Sequence, residues 1–104
     1  MLKLIYYVPE AQLESTKRAI FDAGAGGIGN YKDCAWQVLG TGQFKPLQGA
    51  NPSIGELDQL EEVPEWRVES IVPEAKASAV AKALKASHPY EEPAFEFIQI
   101  IEID

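Results

Sequence analysis

The chain has few of the residues that build metal cages, disulfide frameworks or surfaces for nucleic acid. Its one cysteine, Cys34, excludes an internal disulfide framework and a thiolate zinc cage within one chain. Nine Lys and Arg stand against 16 Asp and Glu, so the net charge is −7. Because affinity for nucleic acid comes mainly from neutralised phosphates, this balance argues against nucleic acid, and equally against anionic lipid. An acidic chain instead favours cations or basic partners.

The sequence also has no hydrophobic run long enough to cross a membrane or to form a secretory core. The apolar N-terminal run spans only residues 1–8 and ends at Pro9. We therefore expect a cytoplasmic protein with no membrane segment. With 104 residues, 46% hydrophobic and 24% charged, the chain is expected to form a single domain, residues 1–104. Such a domain needs no metal or disulfide to hold its core.

One short motif occurs twice in the chain. Residues 8–11 read Val-Pro-Glu-Ala, and residues 72–75 repeat them 64 positions later. A strand-like run precedes each copy, and an amphipathic helix-like run follows it. Gly24 and Pro89 are placed to end the two helices. The repeat indicates an internal duplication of a β-α unit.

Each predicted helix is followed by a further strand-like run, at residues 34–39 and 94–103. The order β-α-β therefore occurs twice. It predicts an α+β fold, a ferredoxin-like βαββαβ sandwich with two helices on one face of an antiparallel sheet. Residues 40–64, between the halves, are expected to add an extra strand or a loop.

Two of the predicted strands are apolar on both sides. In residues 2–8, Ile5 and Tyr7 lie on one side and the other apolar residues on the opposite side. Residues 94–103 likewise have apolar residues on both sides. Two helices cover only one face of a sheet, so the second face needs a cover. Either a second copy of the chain covers it or residues 40–64 do. We expect the copy, and hence a homo-oligomer.

The densest polar cluster runs from His88 to Pro93. Imidazole and carboxylate groups bind divalent metals, so His88, Glu91 and Glu92 are candidate ligands for a divalent cation. Adjacent side chains of an extended segment point apart, so further ligands would come from elsewhere, including a neighbouring subunit. A solvent-facing His88 would then contribute little to stability. The alternative is a rigid turn in which His88 closes the helix and Tyr90 packs.

A glycine-rich segment, residues 24–31, follows the first predicted helix. Phosphate-binding glycine loops precede a helix rather than follow one, so a helix-to-strand connection with positive φ angles is the favoured interpretation. The small residues still permit close approach of a ligand. The candidate ligand-binding residues are Gly26, Gly29, Asn30, Tyr31 and Tyr90.

The residues alone define no catalytic constellation, and no catalytic residue is assigned. Cys34 as a nucleophile, or any serine in a triad, would need His88, which is the single histidine. Cys34 precedes apolar residues and is expected to be a small buried residue of a strand.

Five motifs follow one another along nearly the whole chain. They are Gly24-x-Gly-x-x-Gly29-Asn30-Tyr31-x-x-Cys34, Gly40-Thr41-Gly42-x-Phe44-x-Pro46, Gly49-Ala50-Asn51-Pro52-x-Ile54-Gly55, Val63-x-Glu65-x-Arg67-x-Glu69 and His88-Pro89-Tyr90-Glu91-Glu92-Pro93-Ala94. This series resembles the YqfO-type insert domain of the NGG1-interacting-factor-like proteins, which carry a dinuclear metal centre. The resemblance implies the ferredoxin-like sandwich of CutA and the PII signalling proteins, and a trimeric assembly.

In full-length members of that family, histidines and acids of the flanking domain build the dinuclear site. This chain has one histidine, so the type-2 GTP cyclohydrolase activity ascribed to some members does not carry over. Three hypotheses follow. The favoured one is a non-catalytic binding or regulatory module that takes a small ligand or a divalent cation at loops near subunit junctions. The others are a metal-dependent hydrolase and a structural interaction domain that docks on a larger partner.

Overall fold

A computed structural model describes residues 1–103. Six regular elements follow one another along the chain: β1 (Leu2–Val8), α1 (Leu13–Ala23), β2 (Trp36–Phe44), β3 (Glu61–Val72), α2 (Ala77–Ser87) and β4 (Phe95–Gln99). One turn of 3-10 helix precedes each α-helix, at Glu10–Gln12 and Glu74–Lys76. Neither α-helix of the described chain has the length and hydropathy that a membrane span requires.

The four strands form one antiparallel sheet in the order β2-β3-β1-β4. In its centre Tyr6 of β1 lies between Val68 of β3 and Phe95 of β4. The two helices contact each other and cover one face of the sheet. The predicted α+β ferredoxin-like fold is therefore confirmed.

The duplication is visible in the backbone. Both α-helices have 11 residues, and the second begins and ends 64 positions after the first. Pro9 and Pro73 take equivalent places before the 3-10 turns, with φ of −63° and −62°. Because the proline ring restricts φ to this range, both helices are entered with the same backbone geometry. Gly24 ends α1 with a φ of 126°, a value that residues with a side chain rarely adopt.

The core lies between the helices and the sheet. Its buried members come from one side of β1 and β3, from the inner faces of both helices and from the connection after α1: Leu4, Tyr6, Val8, Leu13, Ile20, Ala25, Val68, Val72, Val80 and Leu84. One polar pair is buried among them, the Tyr6 hydroxyl and Thr16 Oγ1 at 3.0 Å. Burial raises the pKa of Tyr6 to about 12.

The strands differ in length from the sequence prediction. β2 continues to Phe44 and β3 begins at Glu61, so both arms of this hairpin extend into residues 40–64. β4 ends at Gln99, although the alternating pattern continues to residue 103. β1 is the neighbour of β4 and begins at Leu2, which pairs with Gln99. One hydrogen bond follows that pair, from the Ile100 N–H to the Met1 carbonyl at 3.1 Å.

We call the side of the sheet opposite the helices the open face. Trp36 and Val38 of β2 and Ile98 of β4 lie on it, with 57%, 42% and 47% of their surfaces exposed. Ile5 lies on the same face but is buried, between Glu69 of β3 and Glu96 of β4. Residues 40–64 therefore do not cover Trp36, Val38 and Ile98.

Candidate functional site

A cavity of about 650 Å³ lies at the end of the sheet where β1 and β2 finish. One wall is the loop after β2 and the other is the segment after α2. Aromatic rings and carboxylates dominate its functional groups: Tyr7, Phe44, Tyr90, Glu65, Glu91 and Glu92. Of these, the sequence indicated the three that belong to the polar cluster, Tyr90, Glu91 and Glu92.

His88 fixes the segment after α2 to the sheet. It ends α2 in an extended conformation because Pro89 follows it. The Tyr90 N–H donates to His88 Nδ1 at 3.1 Å, so Nδ1 carries no proton and Nε2 does. That Nε2–H donates to the Tyr7 carbonyl at 2.6 Å. Burial lowers the pKa of His88, against the opposing effects of the Tyr7 carbonyl and the Glu65 charge.

This geometry bears on the predicted metal ligands. The metal hypothesis assumed a solvent-facing His88, whereas His88 is only 7% exposed and both of its ring nitrogens make hydrogen bonds. Glu91 Oε1 accepts the Asn51 N–H at 3.3 Å. Within residues 1–103 no three His, Cys, Asp or Glu side chains are arranged to hold a metal ion. As placed, these residues do not fit a cation site. The metal assignment of His88, Glu91 and Glu92 stays a prediction, and it requires His88 to break a hydrogen bond.

Tyr90 connects this turn to β3. Its hydroxyl donates to Glu65 Oε2 at 2.7 Å. Burial, then the hydrogen bond and charge of Glu65, raise the pKa of Tyr90, so the hydroxyl remains a donor at neutral pH. The Tyr90 ring contacts the rings of Phe44 and His88, with centroid distances of 6.0 and 5.0 Å. We call this series, from the Tyr7 carbonyl through His88 and Tyr90 to Glu65, the polar chain.

Gly42 makes room for the Glu65 carboxylate. Gly42 lies on β2 beside β3, and a Cβ added to it would collide with the carboxylate group of Glu65. Glycine within a strand often marks such a close approach. The Gly-Thr-Gly sequence of residues 40–42 and the fourth motif of the resemblance were therefore the available signals for Glu65, which was not among the predicted site residues. Tyr7 carried no signal beyond that of an ordinary strand residue, and Phe44 was indicated only as a member of the second motif of the family resemblance.

The predicted glycine-loop residues lie at the other end of the sheet. Gly26 is buried, its N–H donates to the Ile71 carbonyl at 2.7 Å and its own carbonyl accepts the Cys34 N–H at 2.9 Å. Gly29, Asn30 and Tyr31 are exposed in a tight turn. One chain thus does not bring this loop together with Tyr90, and Gly26 has a structural role in closing the loop. Cys34 is only half-buried, and it precedes β2.

A second cavity, of about 290 Å³, lies on the open face and shares Tyr7 and Glu65 with the first. Gly40 and Gly42 lie along it, and Arg67 borders it. Arg67 Nε donates to Glu69 Oε2 at 3.2 Å, so its charge is paired. The two cavities therefore adjoin where the polar chain ends.

The chain matches several known proteins over nearly all of its length. It is 46% identical over 99 residues to a "GTP cyclohydrolase 1 type 2 homolog" of Mycobacterium leprae, which covers 95% of this chain and 26% of the relative. It superposes with a TM-score of 0.84 and 39% identity on a Bacillus cereus protein related to NIF3, over 97% of this chain and 26% of that one. The chain is homologous to one segment of the NIF3-related proteins.

The resemblance indicated by the sequence motifs is thereby confirmed. The chain spans about a quarter of the length of the NIF3-related relatives it matches. No family model matches the chain. CutA1 from Pyrococcus horikoshii superposes with a TM-score of 0.72, over 100% of this chain and 87% of the other, at 16% identity. At that identity the likeness shows the fold alone.

Proposed function

We propose that this chain is a non-catalytic binding module that takes a small molecule in the 650 Å³ cavity at the end of the sheet. The observation that carries the proposal is the convergence of three aromatic rings, Tyr7, Phe44 and Tyr90, on one concave site with a few polar groups. Sites of this size, with apolar walls and few oriented polar groups, are typical of small-molecule binding.

The walls of the cavity are held in place before any ligand arrives. The polar chain connects β1, the turn after α2 and β3. The loop after β2 is fixed by the Asp58 N–H, which donates to the Pro46 carbonyl at 2.6 Å, and by the Asn51–Glu91 contact. A preorganised site binds more tightly because less freedom is lost on binding.

Blocking the cavity tests this proposal. Ala50 lines the cavity, and Ala79 lies exposed on α2. Three probes are titrated by ligand-observed NMR: the neutral 2-phenylethanol, the cationic 2-phenylethylamine and the anionic 3-phenylpropanoate. We expect at least one to bind, Ala50→Trp to weaken it by at least about tenfold, and Ala79→Trp to leave it unchanged, because only the first indole occupies the site.

The absence of binding by all three probes, or equal binding by the Ala50→Trp variant, would contradict the proposal. The name of the relatives raises the alternative of a metal-dependent hydrolase. That hypothesis uses His88 with Glu91 or Glu92 as metal ligands, and in this chain both ring nitrogens of His88 already make hydrogen bonds. Turnover of GTP by the purified chain with added divalent metal would select the hydrolase, and a stoichiometric protein partner without bound ligand would select the interaction domain.

We also propose that copies of the chain associate through the open face. The resemblance to CutA and the PII proteins implies that three copies form the assembly. The support is the apolar surface of Trp36, Val38 and Ile98, which the chain itself leaves exposed. Exposed apolar residues grouped on one sheet face are typical of an interface.

A charge on this face is expected to dissociate the oligomer. In light scattering coupled to size exclusion, the parent should show about three times the monomer mass, and Trp36→Glu should shift it toward the monomer, because a buried unpaired carboxylate is costly. Ala79→Glu adds the same charge on the helical layer and should leave the mass unchanged. A parent that is already monomeric at micromolar concentration overturns the proposal.

A further inference from the structure

We infer that the ligand of the 650 Å³ cavity is a small organic cation, an ammonium group carried on an apolar or aromatic body. The inference rests on the binding function proposed above and adds the chemical class of the ligand. It follows from the charges, the rings and the apolar wall that the cavity brings together.

The charge around the cavity is negative. Among its lining residues, all within residues 1–103, three are carboxylates, Glu65, Glu91 and Glu92, and Lys45 is the one cation. In addition, α2 ends at Ser87, just before this turn, and the C-terminal end of a helix carries a partial negative charge. Since the whole chain has a net charge of −7, the long-range field acts in the same direction.

The aromatic rings suit an ammonium group. The rings of Phe44 and Tyr90 meet at 54° with centroids 6.0 Å apart, which forms a corner rather than a stack. A cation within such a corner interacts with the electron-rich faces of both rings. Tyr90 is oriented for this by the hydrogen bond from its hydroxyl to Glu65, whose carboxylate provides the counter-charge beside the ring.

The opposite wall suits an apolar body. Pro46, Leu47 and Ile54 line the loop side of the cavity, and Leu47 is 62% exposed. A bound apolar group would remove this leucine from water. The same lining would bind a nucleoside triphosphate poorly, because the negative phosphates would face three carboxylates and a single lysine.

The experiment compares three probes that share a phenyl ring and a two-carbon arm. Isothermal titration calorimetry at low ionic strength should show 2-phenylethylamine binding at least about tenfold more tightly than 2-phenylethanol, with 3-phenylpropanoate and GTP weaker still. Raising the ionic strength should weaken binding of the amine more than that of the alcohol.

Glu65→Gln removes the charge but keeps a carbonyl oxygen for the Tyr90 hydroxyl. It should weaken binding of the amine by about tenfold and leave the alcohol unchanged. Glu62→Gln, outside the cavity lining on the same strand, is the matched control and should change neither. Equal affinity for amine and alcohol, or tighter binding of an anion, overturns the cation inference while the binding function stands. Binding of no probe by the parent overturns both.

Discussion

Gly26→Ala is expected to lower the free energy of unfolding by about 2–5 kcal/mol. Gly26 has a φ of 87°, which costs a residue with a side chain about 1–2 kcal/mol. The added Cβ would also lie 2.9 Å from the Phe21 ring and 3.0 Å from the Cys34 backbone nitrogen. The backbone contact cannot be relieved by a change of rotamer. Thermal and denaturant unfolding monitored by circular dichroism measure the loss.

Gly27→Ala is the matched control for this prediction. Gly27 is exposed, has no positive φ and would have nothing within 4 Å of an added Cβ. Its stability should stay within about 0.5 kcal/mol of the parent. If the two variants unfold alike, the close packing of Gly26 against Phe21 and Cys34 is not present in solution. That result would favour the prediction from the sequence that Gly26 contacts a ligand.

His88→Ala is also expected to lower the free energy of unfolding substantially. It removes the acceptor of the Tyr90 N–H and the donor to the Tyr7 carbonyl. Leaving a buried polar group without a partner costs about 1–3 kcal/mol, so the free energy of unfolding should fall by at least that amount. Chemical denaturation measures it, with the exposed Lys82→Ala on α2 as control. A His88→Ala variant as stable as the parent would mean that the imidazole faces solvent and is free to bind a cation.

The same histidine predicts a dependence on pH. Burial lowers the pKa of His88 below the ordinary value of 6.5. Between the two pKa values, His88 is therefore protonated in the unfolded chain and neutral in the folded chain. The contribution of neutral His88 is therefore complete above about pH 6.5 and is lost as the pH falls through the lowered pKa of the folded state. The difference in stability between parent and His88→Ala should shrink between about pH 8 and pH 5. A constant difference over this range would contradict the buried neutral imidazole.

The order of the elements was predictable from local patterns. Pro9 and Pro73 restrict their own φ, and apolar residues at helical spacing after each one need no distant contact to be recognised. Gly24 and Pro89 ended both helices where the sequence predicted. Because the same pattern recurs 64 positions later, each local prediction for the first half applied to the second half as well. For these reasons the fold class followed from the sequence before any contact was known.

The lengths of β2, β3 and β4 were less predictable because a strand ends where its neighbour ends. β4 stops at Gln99, paired with Leu2 at the start of β1, although Ile101 and Ile103 continue its pattern. Gly40 and Gly42 read as loop residues in isolation, yet they lie in β2 because β3 pairs with them. The ladder, rather than the propensity of the single residue, decided these boundaries.

The sequence by itself determined which residues can carry chemistry, and only the tertiary structure decided which of them meet. It indicated Tyr90, Glu91 and Glu92 as one cluster because they are neighbours in the chain. The cavity adds Phe44 and Glu65, which lie 46 and 25 positions before Tyr90 and reach it only through the pairing of the hairpin with the sheet. It also separates Tyr90 from the glycine loop, since the two lie at opposite ends of antiparallel strands. The tertiary structure also buries His88 and gives both of its ring nitrogens partners, because a side chain's environment depends on contacts that local sequence does not encode.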